Sequence, residues 1–102
     1  LAHSAAARKE QRRLDAEKRQ KLQPLRKELQ KIEARMEKLN GKKAALESEL
    51  ADPAIYEAAG TERLKQLLAA QTATAQELAE VEERWLELSE QLEENCSPSG
   101  AQ

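Results

Sequence analysis

Two stretches of the chain place a seam residue at alternating steps of three and four positions. The first runs Leu22, Leu25, Leu29, Ile32, Met36, Leu39, Lys43, Leu46 and Leu50, with Lys43 its one polar member. The second runs Leu64, Leu67, Gln71, Thr74, Leu78, Val81, Trp85, Leu88 and Leu92, with Gln71 and Thr74 polar. This spacing keeps one stripe of a helix turned toward a partner helix over many turns, the heptad signature of a coiled coil. Between the runs lies ADPAIYEAAG, residues 51–60, where Asp52-Pro53 and Gly60 are turn and helix-stop signals. Thr61 is then the expected N-cap of the second helix. A connection this short makes neighbouring helices antiparallel. The expected fold is all-α: an antiparallel two-helix coiled-coil hairpin over 22–95, with arm one at 22–50, the tip at 51–60 and arm two at 61–95. A basic lead-in at 1–21 precedes it, and a disordered tail at 96–102 follows.

Composition supports slender helices over a thick core. Aromatics are 2% of the 102 residues, Phe is absent, and 35% are charged. The abundant residues are strong helix formers. Trp85 reads as a seam anchor and Met36 as seam filler. Ile55 and Tyr56 read as the cap of the tip, with an exposed Tyr56 as an alternative contact point. Cys96 is the sole cysteine, so no intrachain disulfide is available. His3 has no neighbouring His or Cys, and no metal site is expected. No apolar run approaches the ~20 residues of a membrane span, and no signal peptide is visible, so the expected location is the cytoplasm. The chain starts at Leu1 rather than Met, as a piece of a longer protein would.

Two registers put a opposite d. One aligns Leu50 with Leu67 and Lys43 with Thr74. The other aligns Leu46 with Leu64 and Leu25 with Trp85. The flanking charges favour the second, which matches Arg35 with Glu77, Glu28 with Arg84 and Arg26 with Glu82. The first opposes Arg35 to Arg84 and Glu33 to Glu82, though it matches Lys42 with Glu77.

Charge is divided between the arms although the net is only −2. Residues 8–43 hold fourteen Lys/Arg against six Asp/Glu, while residues 61–95 hold three against nine. Pairing across the seam accounts for only part of this. Lys27, Lys31 and Lys38 take outward positions, as do Glu80, Glu83, Glu87, Glu90 and Glu94. The run RKEQRRLDAEKRQK at 8–21 is denser still, with seven basic residues against three acidic. Its like charges at i, i+4, Arg8 with Arg12 and Lys9 with Arg13, disfavour an isolated helix. Asp15 and Lys18 fall where seam residues would be. Pro24, inside QKLQPLRKEL, is therefore expected to be a kink or boundary where the paired region begins. A basic lead-in continuing into a basic face is the footprint of a phosphate-backbone binder. The same pattern also suits a solvated face or a protein partner.

Several marks, in order, resemble a known family. They are the basic lead-in, LQPLRKELQKIEARMEKLN, the tip LADPAIYE and the second arm EVEERWLELSEQLEE. Over about residues 8–95 these resemble the C-terminal domain of bacterial ABC-F ATPases, soluble tandem-cassette proteins without membrane spans. Pro24-Leu25-Arg26, DPAIY and Trp85-Leu86 are the most specific parts. The resemblance implies a domain that follows the second ATPase cassette, with the lead-in as linker and Pro24 at the start of the hairpin. It also implies a parent that uses ATP and Mg and acts on ribosomes or in DNA-associated processes, and a link of this hairpin to nucleic-acid binding. The chain departs from such a parent in having no G-x-x-x-x-G-K-[ST] phosphate loop. No enzymatic activity and no cofactor are expected of this chain itself.

The expected function is therefore non-catalytic, weakly sequence-specific binding of DNA or ribosomal RNA. Candidate phosphate contacts are Arg8, Lys9, Arg12, Arg13, Lys18, Arg19, Lys21, Arg26, Lys27, Lys31, Lys38 and Lys42. The ATPase cassettes of the parent chain are the expected protein partner, and the hairpin is expected to be a monomer. Two alternatives stand beside this. One is a protein-interaction or spacer arm docking on the ATPase core or ribosomal proteins, without nucleic-acid contact. The other is self-association through Leu68 and Leu86.

Overall fold

A computed structural model describes residues 4–96. His3 and the tail from Ser97 onward lie outside the described residues. The chain forms two long helices packed antiparallel, with no strand among the described residues. Helix α1 spans Ala5–Leu50 and helix α2 spans Thr61–Cys96. The molecule is a rod of 82 × 24 × 16 Å. This matches the ~70 Å expected of a 46-residue helix rising 1.5 Å per residue, plus a tip.

Helix α1 starts at Ser4, whose hydroxyl accepts from the Ala7 N–H at 3.1 Å. That removes one of the four unpaired amides of a helix start. The helix then passes without interruption through the basic lead-in and through Pro24. The like-charge spacing within the lead-in does not prevent this, because acidic side chains are interleaved with it. Arg13 bonds to both Glu10 and Glu17, and the Gln11 amide donates to Asp15 at 3.0 Å. Such i, i+3 and i, i+4 contacts each add a few tenths of a kcal/mol to a helix, roughly 0.2–0.5. Pro24 is exposed, as is Gln20, whose carbonyl the ring displaces. Water is at hand for that carbonyl, so the proline sits within the helix and does not end it. Burial, however, changes close by. Residues 4–21 are all exposed, and Leu22 is the first buried residue, at 5% exposure.

The core is one seam wide. Leu22, Leu39 and Leu46 of α1 and Leu67, Leu78 and Leu88 of α2 are its buried apolar residues, and Thr74 is buried among them. Each buried leucine stabilises the hairpin by about 1.5–3 kcal/mol. Ion pairs on one flank define the register. Glu28 pairs with Arg84, Arg35 with Glu77 and Glu49 with Arg63. Seven residues forward on α1, from Glu28 to Arg35, is seven backward on α2, from Arg84 to Glu77. Fourteen more reach Glu49 and Arg63. This constant offset belongs to the second of the two alignments. The Trp85 indole N–H leans across the seam to Glu33 Oε2 at 3.2 Å, leaving the ring half-buried with its polar atom satisfied.

The tip is two short 3₁₀ turns, Pro53–Tyr56 and Ala58–Gly60. Asp52 caps the first, its carboxylate accepting from the Ala54 N–H at 3.0 Å, with Pro53 in the first turn. The Tyr56 hydroxyl donates to the Leu50 carbonyl at 2.7 Å. This satisfies one of the free carbonyls at the end of α1, while the ring stays 61% exposed. Thr61 is not an N-cap. An N-cap needs extended backbone, whereas Thr61 is already helical at φ −56°, ψ −46°. The turn Ala58–Gly60 runs straight into α2, and the Thr61 hydroxyl donates back to the Ala58 carbonyl at 3.1 Å.

Candidate nucleic-acid interface

All twelve candidate cations lie on α1, and all are exposed. At about 100° per residue, they sort into rows. Lys9, Arg13, Lys27, Lys31, Lys38 and Lys42 fall within an arc of about 60°. Gln20 and Pro24 complete that arc, and Ala16 and Ala34 border it, so it carries no carboxylate from residue 9 to residue 42. The row is about 50 Å long at 1.5 Å per residue. Arg8, Arg12, Arg19 and Arg26 form a second, shorter row, turned from the first by about 100°. Lys18 and Lys21 belong to neither and sit toward the seam side, where Lys18 shares a shallow depression with Asp15, Arg19, Leu22 and Arg26.

The rows differ in how far the fold has already used their charge. Arg13 is held by Glu10 and Glu17. The hydrogen bond from Arg13 keeps the Glu10 carboxyl below its usual range, and Glu10 in turn raises the Arg13 guanidinium. Lys9, Lys27, Lys38 and Lys42 form no ion pair among the described residues. Arg35, Arg63 and Arg84, which pair across the hairpin, lie outside the candidate set. Arg84 holds Glu28 with two hydrogen bonds of 2.8 and 2.9 Å, which lower the Glu28 carboxyl and raise the guanidinium.

On α2 the carboxylates Glu80, Glu83, Glu87, Glu90 and Glu94 are exposed. They fall within about 80° of arc on the C-terminal half of the helix. In the observed register that half lies beside the N-terminal half of the hairpin's α1 segment. The base of the rod is thus basic on one helix and acidic on the other. Toward the tip, Lys38 and Lys42 continue the basic row where α2 is nearly uncharged.

Rows on α1, exposed from a helix packed antiparallel to a shorter acidic one, together with the DPAIY tip, can now be set against known families. The family model described as ABC transporter C-terminal domain matches residues 5–90. The chain belongs to this family. The ABC transporter C-terminal domain is typical of ABC-F proteins and is a non-catalytic part of an ABC-type ATPase. The match to the C-terminal domain takes in the basic lead-in, the proline, the tip and most of α2. No curated protein and no solved structure matches the chain. Among the described residues of the domain, no helix is long and apolar enough to cross a membrane.

Sequence reasoning grouped the twelve cations by position along the chain and missed their division into rows. The signal was available, since counting residues at helical pitch through Pro24 gives both rows. Expecting a kink at Pro24 removed the reason to count across it.

Proposed function

We propose that this C-terminal domain binds nucleic acid, DNA or ribosomal RNA, through phosphate contacts of α1, without catalysis and with little sequence preference. The carboxylate-free row Lys9, Arg13, Lys27, Lys31, Lys38 and Lys42 supports this reading. Its length of about 50 Å is of the order of 15 base pairs of duplex at 3.4 Å per step. A row of flexible point charges positions a protein on a backbone and reads no bases. The arginine row adds contacts at the base of the rod. In this reading the domain is a cytoplasmic, monomeric appendage of a parent ATPase, and ATP and Mg belong to that parent's cassettes.

A second reading draws on the acidic row of α2. Glu80 to Glu94 would dock on a basic surface of the ATPase cassettes or of a ribosomal protein, and α1 would serve as a spacer. Fluorescence anisotropy of the whole chain against duplex DNA, branched DNA and structured RNA across a salt series separates the two. Phosphate binding gives a log–log salt slope of several units, about 0.9 per phosphate neutralised on duplex DNA. The triple variant Lys27→Glu, Lys31→Glu, Lys38→Glu should weaken all targets alike and reduce the slope by roughly 3. Affinity unchanged in that variant would remove the row from the site. Undetectable binding at low salt would leave the docking reading in its place.

A further inference from the structure

The seam is half polar over three successive layers: in the observed register Lys43 faces Leu67, Gln71 faces Leu39 and Thr74 faces Met36. Lys43 and Gln71 occupy seam positions yet are exposed. Thr74 is 3% exposed, and its hydroxyl has no hydrogen-bond partner among the described residues. The three line one cleft of about 220 Å³ together with Leu46, Leu78 and Glu82. A native interior leaves few buried polar atoms unsatisfied and few voids larger than a water molecule. A hydroxyl without a partner beside a cleft of this size is therefore a local weakness in the packing.

On either side the seam is apolar and separately pinned. Toward the tip, Leu46 is buried opposite Leu64, Glu49 pairs with Arg63, and Tyr56 bonds to the end of α1. Toward the base, Leu22, Leu78 and Leu88 are buried, and Glu28–Arg84, Arg35–Glu77 and Trp85–Glu33 cross the seam. Between Arg35–Glu77 and Glu49–Arg63 no interhelical ion pair crosses, among the described residues.

We propose that the Lys43–Gln71–Thr74 cleft is a built-in hinge that divides the hairpin into a base and a tip able to open and bend separately. Local opening is easiest where buried apolar contact is least. Helices interrupted in their packing, with intact packing on both sides, respond to force at the interruption. The end of α1 from Leu46 onward then moves relative to the Lys27–Lys31 stretch, while each unit keeps its own register pins.

Native-state hydrogen exchange of the whole chain tests the hinge. Amides at 36–43 and 67–74 should exchange faster than those at 46–50 on the tip side, and faster than those at 28–32 and 81–88 on the base side. Ordinary fraying from the tip cannot give such a minimum, since it lowers protection steadily toward the tip. Thr74→Val keeps the shape of the side chain and removes the unpaired hydroxyl. It should raise protection at the cleft by about tenfold, the size of an unsatisfied buried group expressed as an equilibrium constant. Gln71→Leu should act in the same direction. Protection falling smoothly from base to tip, or a Thr74→Val profile that superposes on the wild type, overturns the hinge.

Discussion

Gly41 and Gly60 should respond to alanine with opposite signs, and the difference is a matter of space. Gly41 is an exposed residue inside α1, and a Cβ built there meets nothing within 4 Å. Alanine at such a position gains about 0.8–1 kcal/mol over glycine from the lower entropy of the unfolded chain. Gly60 offers no such room. A Cβ there would lie 2.5 Å from the Ile55 carbonyl oxygen, 2.6 Å from its Cα and 2.7 Å from its carbonyl carbon. All three are backbone atoms of the first 3₁₀ turn, so no flexible side-chain end can move aside. The backbone at Gly60 is not left-handed, so the whole penalty is steric. Displacing the turn costs ~1–3 kcal/mol, as overpacking does, and the entropic gain of ~0.4–1 kcal/mol offsets only part of it. The net loss should be roughly 1–2 kcal/mol. Urea melts followed by far-UV ellipticity measure both variants. In thermal melts the two should straddle the wild type, each kcal/mol moving Tm by about 4–8 °C. A Gly60→Ala protein as stable as wild type, measured beside a stabilised Gly41→Ala, would refute the close packing of Gly60 on Ile55.

Two further outcomes follow from burial and charge. Leu88→Ala should cost about 2–5 kcal/mol in urea melts, because Leu88 is fully buried at 0% exposure. Its neighbour Leu86, 52% exposed, should lose less than ~0.5 kcal/mol on the same change, and equal losses would place the seam wrongly. The Glu28 carboxyl is held below its ordinary value by its hydrogen bond with Arg84. Its contribution is therefore complete above the unfolded carboxylate pKa and is lost as pH falls through the lower folded value. Glu28→Gln should flatten the acid limb of a Tm-against-pH curve relative to wild type, and superposed acid limbs would show that the pair carries no such linkage.

Much of the architecture was legible because heptad spacing is a geometric statement. Nine seam positions on each arm with no slip in spacing leave one antiparallel solution once the connection is as short as 51–60. The register was legible for a different reason. Residues such as Arg35, Glu77, Glu28 and Arg84 flank the seam, and the second alignment brings more opposite charges together there than the first. What resisted reading was local. Thr61 carries an N-cap side chain, but the 3₁₀ turn before it had already set helical backbone. Pro24 carries a strong break signal, but on an exposed face a helix loses one hydrogen bond to it and continues. The lead-in looked unfavourable as a helix by its Arg8–Arg12 and Lys9–Arg13 spacing, and Glu10 and Glu17 around Arg13 counter that. In each case a residue's intrinsic preference lost to its local setting: neighbours for Thr61 and the lead-in, an exposed face for Pro24.

The chain also separates its cations by chemistry. Ion pairs of the described residues use arginines, among them Arg13, Arg35, Arg63 and Arg84. A guanidinium is a planar fork that holds a carboxylate in fixed geometry, as Arg84 holds Glu28 with two bonds, whereas a lysine ammonium is a mobile, hydrated point charge. The hairpin is closed by arginines on the flanks of the seam, and lysines supply most of the long outward row. Such a division leaves Lys27, Lys38 and Lys42 outside any ion pair among the described residues, with Lys31 only a Coulombic neighbour of Glu28. Reversing them should therefore cost little stability, because exposed charges away from the seam contribute under ~1 kcal/mol each. Any loss of nucleic-acid affinity in the Lys27, Lys31, Lys38 variant can then be assigned to the contact itself and not to an unfolded hairpin, and a far-UV melt of that variant matching wild type is the measurement that licenses the assignment.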